Sequence, residues 1–267
     1  MLKDITLGQF FPGNSLMHRL DPRTKILMIT ALMIVLFSCD HFWSYVLLSV
    51  FILSLIRISH LRFRMVLRGL KPLLFIIVFT AVLNLFLTPG GDILWRFGAV
   101  SITTAGIQKA ILIVVRLMML IAGTSLLTYT TSPIQLTDGL ERLLSPLKKL
   151  HVPVHDLTMM MSIALRFIPT LMEETDKIMC AQRARGADFD SGNLLHRAKA
   201  LIPILVPLFV SSFRRADELA TAMECRLYRG DQGRTRLRQL QFSREDIQFA
   251  CITVVILGGA VALNIVL

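Results

Sequence analysis

Ala105-Gly-Ile-Gln-Lys109-Ala-Ile-Leu-Ile-Val-Val-Arg116-Leu-Met-Met-Leu-Ile-Ala-Gly-Thr-Ser-Leu-Leu-Thr-Tyr-Thr130 is an almost unbroken apolar run. It exceeds the roughly 20 residues that an α-helix needs to cross the hydrocarbon core of a bilayer. Upstream, Leu70 to Leu87 is a second such run, closed by Thr88-Pro89-Gly90-Gly91, where proline and two glycines stop a helix and turn the chain. Ile26 to Phe37 and Phe42 to Ile56 flank the polar tip Cys39-Asp40-His41 and suit a tight helical hairpin, with Trp43 and Tyr45 at the interface. Downstream, Ile247 to Leu267 closes the protein. Five spans are predicted, the first one short. The fold class is therefore an all-α polytopic membrane protein with about five transmembrane helices and a long cytoplasmic insertion.

Composition agrees. Of 267 residues 54% are hydrophobic and 18% charged, with a mean hydropathy of +0.63, too apolar for an ordinary soluble domain. The net charge of +11 supplies the cytoplasmic bias of a membrane protein, and nucleic acid is not expected as a partner. Cys39, Cys180, Cys225 and Cys251 form neither a CxxC pair nor a Cys/His cluster, so they read as small buried side chains, and no metal or cofactor is expected. Residues 1 to 25 are polar and carry Pro12 and Pro22. That argues against a cleavable signal and for a mature chain starting near Met1.

Orientation follows from the connections. Arg57 to Lys71 holds five basic residues and no acidic one, whereas Pro89 to Thr104 has only Arg96 against Asp92. With Arg19, Arg23 and Lys25 at the start, the N-terminus is expected in the cytoplasm together with everything from about Ser132 to Arg244. The expected organisation is 1–131 (N-terminal segment and four spans), 132–244 (cytoplasmic coupling part) and 245–267 (last span).

Between Ser132 and Arg244 there are 17 Lys+Arg and 12 Asp+Glu mixed with apolar residues at helical spacing, the mark of a structured amphipathic insertion. Helices are predicted over Pro133 to Leu150, Val154 to about Arg185 and Leu195 to about Arg229. In the second, Leu157, Met160, Met161, Ala164, Leu165, Ile168 and Met172 recur at three- and four-residue steps on one face. Its methionines make an adaptable surface for partners of different shape. The same stripe would also serve as internal packing.

The second and third helices end alike, in Ala181-Gln-Arg-Ala184-Arg185-Gly186 and Ala222-Met-Glu-Cys225-Arg226-Leu227. An arginine there presents a rigid five-donor fork beside the last helix carbonyls, open to a carboxylate on another protein. One such arginine would be an ordinary dipole-complementing residue. Two, at the ends of two long amphipathic helices, point to a paired docking device.

With these residues in place the chain resembles the transmembrane T component of energy-coupling-factor transporters, ATP-driven importers of vitamins and of nickel or cobalt ions. The resemblance is carried by Gly8 to Lys25 (with Pro12, Gly13, Ser15, His18, Asp21 and Pro22), Ser132-Pro133, Leu140-Glu141, Pro146-Leu147-Lys148, Leu165-Arg166-Phe167-Ile168-Pro169 and both arginine motifs. It implies that Ala184-Arg185-Gly186 and Cys225-Arg226-Leu227 dock on two ABC ATPase subunits. It further implies that the methionine-rich face carries a small membrane-embedded substrate-binding S component, one of several interchangeable ones, in the plasma membrane of a prokaryote. Leu227 stands where a small residue is expected, and Gly230 offers a glycine stop three residues later.

Enzymatic readings are poorer. There is no GxxxxGK[ST] nucleotide loop. His151 and His155 have Pro153 between them, Asp188 and Asp190 are the only close acidic pair suited to magnesium, and no catalytic constellation converges. An ABC permease that binds substrate itself is the nearer alternative, although it would present one coupling element and not two. Arg116, costly inside a span, is expected to pack against backbone carbonyls or an acidic partner.

Overall fold

The computed structural model describes residues 10–88, 90, 92–97, 100–150, 152–189, 193–230 and 240–266. The chain divides into two compact units, one of residues 8–143 with 240–267, the other built on residues 144–239.

The first unit holds α1 (Leu16–Arg19), α2 (Pro22–Ser38), α3 (Phe42–Ile58), α4 (Phe63–Leu70), α5 (Leu74–Leu87), α6 (Thr104–Thr130), α7 (Pro133–Leu144) and α10 (Arg244–Val266). Among the described residues three stretches are long and apolar enough to cross a membrane: Phe63–Leu87, Thr104–Thr130 and Arg244–Val266. The α2–α3 hairpin is shorter, at 17 residues per helix. Helix α6 packs on α2, α3, α4 and α5, and α10 packs on α2 and α3. Leu36, Leu48, Leu126 and Ala260 are buried where they meet. Where α5 meets α6 the approach is close enough that a Cβ on Gly106 would stand 2.9 Å from the Leu85 carbonyl oxygen.

Several expectations are corrected. The third span begins earlier than Leu70, because α4 runs into α5 through a 3-10 turn, Lys71–Leu73, at Pro72, whose missing N–H interrupts the α pattern. The link from α5 to α6 contains a two-stranded antiparallel hairpin, β1 (Ile93–Phe97) and β2 (Val100–Thr103). Tyr45 is not an interfacial ring: it is buried, its hydroxyl donating to the carbonyls of Cys39 (2.6 Å) and Leu36 (3.3 Å). Trp43 is exposed. Of the four cysteines only Cys39 is buried, and all four are free. Pro133 to Leu150 is not one α-helix: α7 stops at Leu144 and Ser145–Leu150 is 3-10, since Pro146 has no N–H to continue the ladder.

Arg116 lies against the α2–α3 tip. Its Nε donates to the Tyr45 hydroxyl (2.6 Å) and its Nη2 to the Cys39 carbonyl and to Asp40 Oδ1 (2.8 Å each). Asn264 of α10 accepts from the Asp40 and His41 amides (2.8 and 3.1 Å). The intramembrane charge is thus spent on closing a helical hairpin whose last carbonyls have no helical partner.

The opposite end of the unit gathers the N-terminal signature. The His18 Nε2–H donates to the Phe11 carbonyl (3.0 Å), leaving Nδ1 to accept from the Ser15 hydroxyl (2.6 Å). Partial burial holds that ring below the ordinary imidazole pKa, in keeping with this neutral tautomer. Asp21 caps α2 by accepting from the Arg23 amide, and its own amide donates to Asp246 Oδ1 (2.7 Å) at the start of α10. Arg23 pairs with Asp21 (2.8 Å) and lies 4.0 Å over the Phe242 ring. Lys25, 1% exposed, donates to the Thr130 carbonyl (3.1 Å) and the Thr131 hydroxyl (3.3 Å) where α6 ends.

In the second unit α8 (Val154–Ala184) and α9 (Leu194–Cys225) pack side by side. Their contacts run in opposite order along the chain: Tyr228 against His155 (3.4 Å), Arg215 against Glu174 (2.8 Å) and Gln182 against Pro203 (3.3 Å). The pair is an antiparallel hairpin.

Candidate partner-docking site

Each arginine motif closes its helix with the same pair of hydrogen bonds. After α8, the Ala187 amide donates to the Gln182 carbonyl and the Gly186 amide to the Arg183 carbonyl, each 3.0 Å. After α9, the Tyr228 amide donates to the Met223 carbonyl (3.0 Å) and the Leu227 amide to the Glu224 carbonyl (2.8 Å). This is the Schellman closure, which requires a left-handed residue directly after the cap. Ala184 and Cys225 are the last helical residues. Arg185 (φ −87, ψ 6) and Arg226 (φ −92, ψ 11) are the caps. Gly186 (φ 87) and Leu227 (φ 55) supply the left-handed turn.

Leu227 therefore takes over what glycine does at 186, and Gly230 is not needed for the stop. A left-handed conformation costs an L-residue with a Cβ roughly 1–2 kcal/mol. The leucine is 75% exposed, so packing among the described residues does not offset that cost. Leu227→Gly is expected to stabilise the end of α9 by about 1 kcal/mol, read as slower hydrogen exchange at the amides of Leu227 and Tyr228. Unchanged or faster exchange would contradict the strain.

Both arginines are exposed, and neither side chain makes a hydrogen bond or ion pair among the described residues. Because α8 and α9 are antiparallel, the two forks stand at opposite ends of the hairpin. Counting from Met159, whose sulfur faces the Tyr228 hydroxyl, to Arg185 at 1.5 Å per residue places them about 40 Å apart.

What holds the hairpin together keeps that separation. Pro207 has no N–H for the Pro203 carbonyl, and the Gln182 side chain donates to that freed oxygen. At mid-length Glu174 accepts from the Ser211 hydroxyl and from Arg215 Nη2. The Ser211 hydrogen bond, with Arg215 beside it, holds the Glu174 carboxyl below its ordinary pKa.

The expected apolar face of α8 is only partly open. Leu157, Met160, Met161 and Ala164 are exposed, while Leu165, Ile168 and Met172 are half-buried. Sequence reasoning missed a second surface, on α9, where Ile202, Val206, Phe209, Val210 and Phe213 are each more than half exposed. Their three- and four-residue recurrence is visible in the sequence, but Pro203 and Pro207 read as breakers and hide it. His151 and Asp190 lie outside the described residues, and no metal-binding group of His, Cys, Asp or Glu occurs among those described.

The family model described as Cobalt transport protein matches residues 13–237. The energy-coupling factor transporter transmembrane protein EcfT of Ruminiclostridium cellulolyticum is 54% identical over 266 residues, covering 100% of this chain and 99% of its own. The proteins of the same name from Clostridium kluyveri (55% over 249 residues, 92% of each chain) and Bacillus subtilis (48% over 246 residues, 92% of this chain and 93% of its own) are also similar. A match of this extent, over both the membrane unit and the arginine-ended hairpin, means that the chain belongs to the family of energy-coupling factor transporter transmembrane proteins.

Proposed function

We propose that the chain is the coupling subunit of an importer driven by two ABC ATPase subunits, and that it passes their motion to a substrate-binding S component for uptake of vitamins or of nickel or cobalt ions. The observation that carries this reading is the pair of matched helix closures. They present two guanidinium forks, without partners among the described residues, at opposite ends of one hairpin, the arrangement needed to engage two similar subunits at once. Residues 132–244 serve as the coupling part, between the span-bearing segments 1–131 and 245–267, and the ATPase subunits hydrolyse the ATP.

The basic connection Arg57 to Lys71 supports a cytoplasmic position for the N-terminus and coupling part in a prokaryotic plasma membrane. When nucleotide binding closes the ATPases, the ends bearing Arg185 and Arg226 are displaced and the α8–α9 hairpin tilts as a body. The S component lies on the exposed apolar surface formed by Leu157, Met160, Met161 and Ala164 of α8, continued on Leu165, Ile168 and Met172 and on the open side of α9. Unbranched methionines there accommodate several S components in turn.

The test is purification of the complex from native membrane, with the subunits quantified by mass spectrometry. Two ABC ATPases and several small membrane proteins are expected to accompany the chain. Met161→Glu and Phe209→Glu are expected to release the S components, since an unpaired charge in an apolar contact costs several kcal/mol, about 2 to 5, while the ATPases stay bound. If S components leave only together with the ATPases or with loss of the chain itself, these faces are internal packing and the placement is wrong.

A further inference from the structure

Part of the basic connection Arg57 to Lys71 is built into a site. Arg64, Arg68 and Lys71 stand at the mouth of a cavity of about 600 Å³ between α4–α5 and α6. Their spacing, four and then three residues, sets them on one helix face. All three are exposed, and none of their side chains forms an ion pair or hydrogen bond among the described residues. Below them the walls are apolar throughout: Leu67, Leu74 and Val78 on one side, Val114 and Met118 on the other.

From Arg68 to Val78 the groove descends about 15 Å at the helical rise, close to half of a hydrocarbon core roughly 30 Å thick. It opens onto α5, whose outer surface is bare: Phe75 is 77% exposed and Ile77 is its one buried residue. Helix α5 packs on α6, on the adjoining β2 strand and on the 3-10 turn that joins it to α4, so the groove lies at the rim of the membrane unit.

We propose that this groove binds one anionic phospholipid, its phosphate held by Arg64, Arg68 and Lys71 and an acyl chain laid along Leu67, Leu74, Val78, Val114 and Met118. The charge pattern selects this occupant. An apolar helix of a protein partner would fill the groove and leave three cations unmatched, and a free phosphate would satisfy the cations and leave the groove empty. A phosphodiester with acyl chains answers both, and a zwitterionic lipid brings a cation of its own to a site that already holds three. The lipid would wedge α5 against α6 beside the 3-10 turn at Pro72, the one break in that span.

The test uses the full-length protein in phosphatidylcholine nanodiscs doped with phosphatidylglycerol, ejected into a mass spectrometer under conditions that keep bound lipid. Wild type is expected to retain phosphatidylglycerol in preference to phosphatidylcholine. Each basic residue near an anionic headgroup contributes about fivefold, so the triple variant R64Q/R68Q/K71Q is expected to lose about 100-fold in that preference. Val78→Trp keeps the charges, fills the groove and should also lower retention. Added inorganic phosphate, at constant ionic strength, should displace nothing. Equal retention by wild type and triple variant overturns the proposal. So does displacement by phosphate with Val78→Trp silent, which would leave a simple anion site, and so does a lipid-free dimer abolished by the triple variant, which would assign the groove to a second copy of this chain.

Discussion

Replacing Arg185 and Arg226 together by glutamate is expected to leave the chain inserted in the membrane and strip it of the ATPase subunits proposed to dock there. Both side chains are exposed caps without partners among the described residues, so their loss removes nothing from the fold. Truncating a hydrogen-bonded charge in an interface costs about 2 to 5 kcal/mol, and a reversed charge adds repulsion to that. Because the two ends are about 40 Å apart by helical rise, they share no partner groups and their effects should add. Each single variant should therefore weaken assembly while the remaining end holds one subunit. The double variant should show no ATPase in affinity-purified material at normal expression. Wild-type ATPase recovery by the double variant would remove the docking role from both motifs.

The second large effect is expected inside the membrane unit. Lys25→Met should destabilise the bundle by about 3 to 5 kcal/mol, the usual consequence of removing one member of a buried charged cluster. Lys25 is 1% exposed and donates to the Thr130 carbonyl and the Thr131 hydroxyl; burial pushes its pKa down to about 8, against which Asp246 and Asp21, 2% and 5% exposed, favour its charge. Without the ammonium the last carbonyls of α6 lose a donor, and Asp246 keeps a buried charge beside Asp21. Thermal melting of the purified protein in detergent should fall well below wild type. Lys25→Met combined with Asp246→Asn should recover part of the loss, because the second change removes one of the two buried carboxylates that Arg23 alone would otherwise balance. A wild-type melting temperature for Lys25→Met would show that the cluster carries no stability.

The membrane class, the helical hairpin at Cys39-Asp40-His41, the α8 boundaries and both arginine motifs were legible in the sequence, because each depends on local spacing. A span is a length of apolar chain, and a helix end is a few residues of capping chemistry. Tyr45, Cys39 and Arg116 were only half legible. Their composition told that a polar group sat inside a membrane, but which carbonyls it would meet depends on α6 passing the α2–α3 tip, 71 residues away from Tyr45 in the case of the Arg116–Tyr45 bond.

What only the tertiary structure decided is relative placement. Nothing local to Ala181–Gly186 or Ala222–Leu227 tells whether the two arginines lie side by side or at opposite ends. That follows from the antiparallel pairing of α8 with α9, fixed by Glu174 with Ser211 and Arg215 and by Gln182 on the carbonyl that Pro207 leaves free. The left-handed Leu227 is likewise a tertiary outcome. Sequence preference alone would move the stop to Gly230, but the hydrogen bonds from the Leu227 and Tyr228 amides close α9 three residues earlier. The Tyr228 hydroxyl is held there at the same time by His155 and Met159 of α8. Local propensity chose the elements; long-range contacts, which sequence spacing does not encode, chose where the ends of those elements stand.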